Sequence, residues 1–381
     1  MKVSLTDICD FQGGTQPPKD EWINQPAQGY VRMLQIRDFT QSDKNYIEYV
    51  KDTGKLKTCI EDDILIGRYG ASIGKILTGL AGAYNVAIVK PIPDEKVVSK
   101  KYLYWYLNSQ YFQRFISNVG SRAAQAGFNK NDLGAAQIPL VDKERQEEIC
   151  EVLEKANKLI SLRKQQLAKL DELVKARFVE MFGDEQAFNK EPLSQNVEEM
   201  FIGPFGSSLK NESFVSKENG YCMVYEQKHA IRKTMDVETR YIDKPKYEEL
   251  KRFSIHGGDI IVSCRGTIGE TYIVPLNAPL GIMHPSIMKI RVKDSIYNRV
   301  FFDFLLQEKL KQYEAQANGS GVKMAVTASA LGKEEFIVPS IPFQNQFAAF
   351  VERVDQQKQT VQQSLEKLEL MKKALMQEYF G

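Results

Sequence analysis

The feature that most constrains this 381-residue chain is that it is written twice. Asp62-Asp63-Ile64-Leu65-Ile66-Gly67-Arg68-Tyr69-Gly70-Ala71-Ser72-Ile73-Gly74 returns as Gly258-Asp259-Ile260-Ile261-Val262-Ser263-Cys264-Arg265-Gly266-Thr267-Ile268-Gly269. Upstream, Gly29-Tyr30-Val31 is answered by Gly220-Tyr221-Cys222. Downstream, Ile138-Pro139-Leu140 is answered by Val338-Pro339-Ser340, each followed by a glutamine, Gln146 and Gln346. Leu167-Ala168-Lys169-Leu170, ahead of Phe182-Gly183, matches Leu365-Glu366-Lys367-Leu368, ahead of Phe380-Gly381. The offsets stay at about 190–200 residues, and four matches in one order mean a duplication.

Each half reads as a mixed domain followed by a long helix. Short β-rich runs such as Asp63-Ile64-Leu65-Ile66 and Val86-Ala87-Ile88-Val89 sit between Gly, Pro and Asn punctuation. Lys101-Tyr102-Leu103-Tyr104-Trp105-Tyr106-Leu107 and its counterpart Arg299 to Leu306 read as helices. Their aromatic stripe is expected to be core rather than a platform for stacked bases. From Glu144 to Phe182, and again from Gln344 to Phe380, no proline or glycine interrupts the chain, so each helix would exceed about 50 Å. Leu153, Ile160, Leu167 and Val174 recur every seventh residue in the first, and Val354, Val361, Leu368 and Leu375 in the second. Parallel half-polar rows run through Ala156, Arg163, Leu170, Arg177 and through Val351, Lys358, Leu365, Lys372. Heptad spacing of this length predicts a coiled-coil seam. In the repeat register the apolar row of one helix matches the charged row of the other, which suits antiparallel pairing within the chain. Pairing between chains is the alternative. The expected class is α+β, with mixed domains over 1–142 and 190–340 and helices over 143–183 and 341–381.

Composition excludes several functions. With 43% hydrophobic and 26% charged residues the chain is ordinary globular protein, and no apolar run reaches the roughly 18–20 residues of a membrane span. Five scattered cysteines form no CxxC pair, and the N-terminus lacks a signal-peptide core, so a reducing cytoplasm is expected. The net charge of +2 lacks the basic excess common among nucleic-acid binders, so any DNA-binding charge must be gathered on one face or shared with a partner. Gly67 to Lys75 fails as a phosphate loop: three residues, not four, separate Gly70 from Gly74, and Ile76 follows the lysine. It reads as a turn between strands. Pro93-Asp94-Glu95-Lys96 carries the letters of a nuclease metal site but reads as a surface turn, and His229, His256 and His284 have no metal-ligand spacing. The Phe-x-Gly-x-Gly and Asn-Pro-Pro-aromatic strings of adenine methyltransferases are absent. No catalytic centre is expected.

Phe11-Gln12-Gly13-Gly14-Thr15-Gln16-Pro17 looks like the opening Gly-Gly-Thr-Pro turn of a target-recognition domain, with Gln16 inserted. Phe201-Ile202-Gly203-Pro204-Phe205-Gly206-Ser207-Ser208-Leu209 looks like its Gly-Pro-Phe-Gly-Ser alternative. With the repeated Asp-Ile-Leu-x-x-Arg-x-Gly-x-x-Ile-Gly pattern and the closing Ile-Pro-Leu, the chain resembles, over essentially its whole length, the specificity subunits of type I restriction–modification enzymes. The resemblance implies a non-catalytic DNA-binding subunit in which each recognition domain reads half of a gapped site in the major groove. The helix pair would set the gap and dock two methylase subunits. Those partners would bind S-adenosylmethionine, and separate restriction subunits would use ATP and Mg, with no cofactor in this chain. Base and phosphate contacts favour Arg, Lys and Gln on exposed loops. Candidates are Arg32, Gln35 and Arg37, answered by Gln227 and Lys228; Arg122, Gln125 and Lys130, answered by Lys323; and Arg68 with Arg265, for which a structural role is equally open. The rival reading is a coiled-coil scaffold without DNA recognition, which the near-neutral charge favours.

Overall fold

A computed structural model describes residues 1–41, 46–122, 127–264, 267–320 and 327–381, side chains of 120–122 and 313–320 excepted. The first half contributes β1 (Lys2–Ser4), β2 (Cys9–Gly13), β3 (Tyr30–Leu34), β4 (Tyr49–Lys51), β5 (Thr58–Cys59), β6 (Leu65–Gly67), β7 (Ile76–Leu77), β8 (Gly82–Tyr84), β9 (Ile88–Pro93) and β10 (Gln137–Pro139). Its helices are α1 (Leu5–Ile8), α2 (Ile36–Thr40), α3 (Lys100–Leu107), α4 (Gln110–Arg122), α5 (Lys130–Gly134) and α6 (Lys143–Phe182). The second half contributes β11 (Lys190–Pro192), β12 (Val197–Ile202), β13 (Cys222–Tyr225), β14 (Tyr241–Ile242), β15 (Ser254–Ile255), β16 (Ile260–Ser263), β17 (Thr271–Ile273), β18 (Gly281–Met283), β19 (Ile287–Val292) and β20 (Glu335–Ile337). With them come α7 (Leu193–Asn196), α8 (Gln227–Arg232), α9 (Lys244–Leu250), α10 (Arg299–Ser320), α11 (Ala328–Lys333) and α12 (Ile341–Phe380).

The duplication holds strand for strand. One sheet runs β2-β9-β6-β7, all antiparallel, and a second runs β4-β3-β8-β5 with β3 and β8 parallel. The second half repeats both orders as β12-β19-β16-β17 and β14-β13-β18-β15, with β13 and β18 parallel. Each domain is closed by pairing its first strand with its last, β1 with β10 and β11 with β20. The β6–β7 connection is the turn that the failed phosphate loop suggested.

The chain divides into two compact units, one of Met1–Gln166 with Val361–Gly381 and one of Leu167–Thr360. Each holds a segment of both long helices, lying antiparallel. In the first, Lys372 donates to Asn157 at 2.7 Å and the later Lys164 pairs with the earlier Glu369 at 2.9 Å. In the second, Asp171 pairs with Lys358 at 2.6 Å while Phe178 meets Phe347, ring centroids 5.5 Å apart. The helices therefore pair within the chain. Of the seam residues, Leu153, Ile160, Val174, Val354 and Val361 are buried; Leu167, Leu368 and Leu375 are half-buried. The half-polar row of the second helix supplies polar contacts across the pair: Lys358 forms an ion pair with Asp171, and Lys372 donates to Asn157 and lies over the Trp105 ring.

The aromatic stripes are core, as expected. Tyr102, Leu103, Trp105, Tyr106 and Leu107 of α3 are buried, as are Phe301, Phe302 and Leu306 of α10. They explain the repeated Phe-Gly. Phe380 ends α12 against Tyr102, centroids 5.2 Å apart, and Phe182 ends α6 against Phe301 at 4.7 Å. Both rings are essentially inaccessible to solvent, so each long helix is pinned at its end by apolar burial.

Its start is pinned by a hydrogen-bond staple. Buried Gln146 accepts from the Ser99 amide at 2.8 Å and donates to the Val97 and Val141 carbonyls, both at 2.9 Å. Gln344 does the same, accepting from the Asn298 amide at 2.8 Å and donating to the Ile296 and Pro339 carbonyls at 2.8 and 2.7 Å. The partner of Gln146 is thus Gln344 and not Gln346, which is exposed; matching by distance from the Ile-Pro-Leu motif misplaced it by two residues. Removing either staple leaves one amide and two carbonyls unsatisfied in the interior. Gln146→Ala and Gln344→Ala should each destabilise their unit by on the order of 3 kcal/mol in urea titrations. Gln346→Ala should change stability by less than about 0.5 kcal/mol.

Candidate nucleic-acid interface

In each domain the family-like motifs converge on one set of turns at the ends of the sheets. Gly14 donates its amide to the Ile88 carbonyl at 3.1 Å, and Asn85 donates to the Leu34 carbonyl at 3.1 Å. A Cβ on Gly14 would lie 2.1 Å from the Asn85 carbonyl oxygen, so only glycine fits. The second domain repeats this with Gly203 donating to Ile287 at 3.0 Å and His284 to Tyr225 at 2.8 Å; a Cβ on Gly203 would sit 2.3 Å from the His284 oxygen. The opening glycine turn thus packs on the β8–β9 or β18–β19 turn, which itself holds the end of β3 or β13 where the chain passes into α2 or α8.

These junctions carry Arg32, Gln35, Arg37, Gln227 and Lys228 of the sequence-derived candidates, and they are not loops: Arg32 lies in β3, Arg37 in α2, and Gln227 with Lys228 in α8. Continuous β and helical geometry wins over the polar character that suggested a loop, because Met33 and Leu34, and all of Cys222–Tyr225, are buried. Arg32 pairs with Asp38 at 3.2 Å. Gln35 donates to Glu48 at 2.6 Å, and Arg37 and Lys19 also pair with Glu48, Lys19 at 2.6 Å. Glu48 is only 3% exposed, so one buried carboxylate gathers three donors. Lys19 lies over the Trp22 ring at 3.7 Å and Arg37 over Tyr46 at 4.9 Å. In the second domain buried Glu226 pairs with Arg240 and, at 2.9 Å, with Lys228, while Arg240 lies over Phe214 at 4.0 Å. Burial opposes ionisation of Glu226, but the bonds from Lys228 and Arg240 outweigh it and hold the carboxyl below its ordinary range. Gln227 is half-buried and its Oε1 has no hydrogen-bond partner.

Arg68 donates to the Phe128 carbonyl at 2.9 Å and stacks by Tyr69. Its place in the second domain belongs to Cys264. The Arg68 amide donates to Ala87 and the Cys264 amide to Ser286, at 2.8 and 2.9 Å, and the β16–β17 turn is one residue shorter. The expected Arg68–Arg265 equivalence is therefore corrected; Arg265 itself lies outside the described residues. Lys130, the first residue of α5, pairs with Asp10 on β2. The polar run before it is not all loop: α4 continues through Arg122, and α10 continues to Ser320. The Arg122 side chain, Gln125 and Lys323 lie outside the described residues. Sequence reasoning missed Lys19, Glu48 and Arg240. It also missed Lys90 and Lys289, the third residues of β9 and β19, which donate at 3.0 Å to the Thr58 and Ser254 carbonyls.

Among the described residues no group of three or more His, Cys, Asp or Glu is placed to hold a metal ion, and no helix is long and apolar enough to cross a membrane. All five cysteines are buried, and burial pushes the Cys150 and Cys222 thiols up to about 11.

Two like mixed domains, each carried on a stapled long helix, define a duplicated helix-mounted architecture. A family model described as the type I restriction modification DNA specificity domain matches residues 1–172 and 202–370, so the chain belongs to that family. A Methanocaldococcus jannaschii protein described as the type I restriction enzyme MjaX specificity subunit is 21% identical over 349 residues, 87% of this chain and 80% of that protein. The MjaVIII specificity subunit of the same organism is 24% identical over 183 residues, 47% of this chain and 41% of its own. A chain from a structure concerned with complex assembly and conformational transition of the type I R-M system matches with a TM-score of 0.65 at 15% identity, covering 100% of this chain and 97% of its own. The type I restriction-modification S subunit from M. genitalium gives 0.54 at 16%, covering 100% and 96%. These two likenesses establish a shared fold.

One difference between the junctions has a pH consequence. Asp38 Oδ2 accepts the Gln35 amide at 2.7 Å, whereas the same cap in the second domain is His229 Nδ1 accepting the Glu226 amide at 3.0 Å. Accepting there requires a neutral ring, and burial, partly offset by the Glu226 carbonyl, holds this imidazole below its ordinary value. As pH falls below the usual 6.5, the unfolded ring takes a proton that the folded ring refuses, so stability falls, by up to about 1.4 kcal/mol per pH unit. His229→Asn keeps an acceptor without titrating. Urea titrations at about pH 7.5 and about pH 5.5 should show the second unit weakened at the lower pH in the wild type, and less so in the variant.

Proposed function

We propose that this chain is the non-catalytic address subunit of a type I restriction–modification complex in the cytoplasm, each mixed domain reading one half of a gapped duplex DNA site. The observation that carries the reading is the strand-for-strand repetition of two domains whose glycine turns pack on the same inter-strand turn, within a chain of the DNA specificity family. Differences in side chains on a shared frame suit two domains that read different sequences, since base edges in the major groove distinguish all four pairs. The paired helices supply the spacer that fixes the unread gap, and they carry apolar side chains that pairing leaves outside. Val152, Leu159 and Leu162 of α6 and Leu370 and Met371 of α12 are exposed, which suits docking of two methylase subunits. In this reading S-adenosylmethionine is bound by the methylase partners, ATP and Mg by restriction subunits, and no cofactor by this chain. The methylated adenine would leave the stack in the partner's site.

The test is a methylome. Co-expression with a cognate adenine methylase should yield a single gapped motif, methylated on both strands and lost without the chain. A folded, associated complex that adds no methylation would favour the scaffold reading. Spacing has its own check: removing one heptad around Leu167 together with the facing heptad of α12 should shorten the gap and spare both half-sites, and an unchanged gap in an active variant would reject the spacer role.

A further inference from the structure

The two junctions build one constellation from different chain positions. Glu48 and Arg240 are structurally equivalent, since the Met33 amide donates to the Glu48 carbonyl at 2.8 Å and the Val224 amide to the Arg240 carbonyl at 2.9 Å. Gln35 and Glu226 are equivalent as the residues that cap the next helix, and Arg37 and Lys228 as the second residues of α2 and α8. Trp22 and Phe214 each end a short 3-10 turn, and the residues after them, Ile23 and Val215, bridge to Tyr49 and Tyr241. In the first domain, then, the buried carboxylate comes from position 48 and the cation stacked on the ring that ends the 3-10 turn, Trp22, is Lys19. In the second the carboxylate has moved to position 226, and Arg240, at the place Glu48 vacated, is the stacked cation.

What stays put is the second cation. Arg37 and Lys228 occupy the same site, each paired with its domain's carboxylate and each partly open to solvent, at 39% and 35% exposure. A carboxylate taken from water needs a partner, and the stacked cation already supplies one. Each cluster nevertheless holds two cations to one carboxylate, leaving a surplus positive charge at the surface, next to the glycine turn. Two domains that read different half-sites cannot share base contacts, but they share the backbone geometry of the duplex, and phosphate contacts position a protein without carrying sequence. A cation retained while its counter-ion changed position fits a phosphate contact and not a base contact.

We propose that Arg37 and Lys228 are equivalent contacts to DNA phosphate, one per domain, each held in place by a buried carboxylate. The proposal rests on the reading of the chain as a DNA-specificity subunit. The test uses the full chain assembled with its methylase, titrated with duplex DNA containing the methylated motif over a range of salt concentrations. Arg37→Gln and Lys228→Gln should each reduce the slope of log K against log salt by about 0.9, and together by about 1.8, with the motif unchanged. Arg37→Lys and Lys228→Arg should keep the wild-type slope. Should a single neutralisation fail to fold, Arg37→Gln with Glu48→Gln, or Lys228→Gln with Glu226→Gln, removes the cation and its buried anion together and should give the same loss of slope. An unchanged slope with a lowered melting temperature would make the cluster a brace for the turn, and altered base preference in one half-site would make it a base reader; either overturns the proposal. Absence of salt-sensitive duplex binding by the wild-type complex would instead overturn the DNA-specificity reading itself.

Discussion

The hydrogen bonds of Gln146 and Gln344 are the constraint on which the rest depends. A 40-residue helix leaving a small mixed domain has to start in a fixed direction, or nothing further along it has a defined place. Each glutamine joins the first turn of its helix to the segment before α3 or α10 and to the end of the closing strand, with both ends of its amide satisfied inside the protein. An amide suits this task better than an apolar residue: it needs one donor and two acceptors in fixed directions, so only one docking angle satisfies it. The terminal rings of Phe182 and Phe380 then fix the far ends by burial, which is strong but less directional.

Much of this was legible in the sequence. The duplication, the β-runs, the core stripes of α3 and α10, and the helix seam all follow from periodicity, because burial of one face imposes a repeat that the sequence must show. What failed was alignment at single-residue resolution. Gln344 stands as far beyond Ile337, the end of β20, as Gln146 stands beyond Pro139, the end of β10, so matching Pro339 with Pro139 points to Gln346 instead. Arg265 misses Arg68 because the β16–β17 turn is one residue shorter, and spacing in loops is not kept by packing. The junctions read as loops because their polar residues are conspicuous; Met33 and Leu34 are both buried, as is all of Cys222–Tyr225, and burial on both faces leaves no two-residue alternation to mark a strand.

The ion-pair clusters were not legible at all, for a physical reason. Electrostatic balance is a property of a neighbourhood, so a carboxylate can move from one strand to the next provided the sum is kept. That happened at the junctions, where Glu48 is exchanged for Glu226. It happened again at the paired strand lysines, where Lys90 meets Asp63 and Lys289 meets Glu199. Comparing the halves by sequence shows four unrelated acidic residues; comparing them in space shows two preserved arrangements.

Every contact of the two staples and of the two terminal rings closes within its own unit. Each mixed domain therefore needs from its helices only one glutamine and one terminal ring. In a population of related genes, exchange of the codons ahead of Gln146, or of the whole stretch between those for Gly183 and Gln344, would transplant a mixed domain onto foreign helices that keep the glutamine and terminal ring gripping it. Heredity could then shuffle the two mixed domains independently, and novelty would arise from reassortment far faster than from the slow accumulation of point changes.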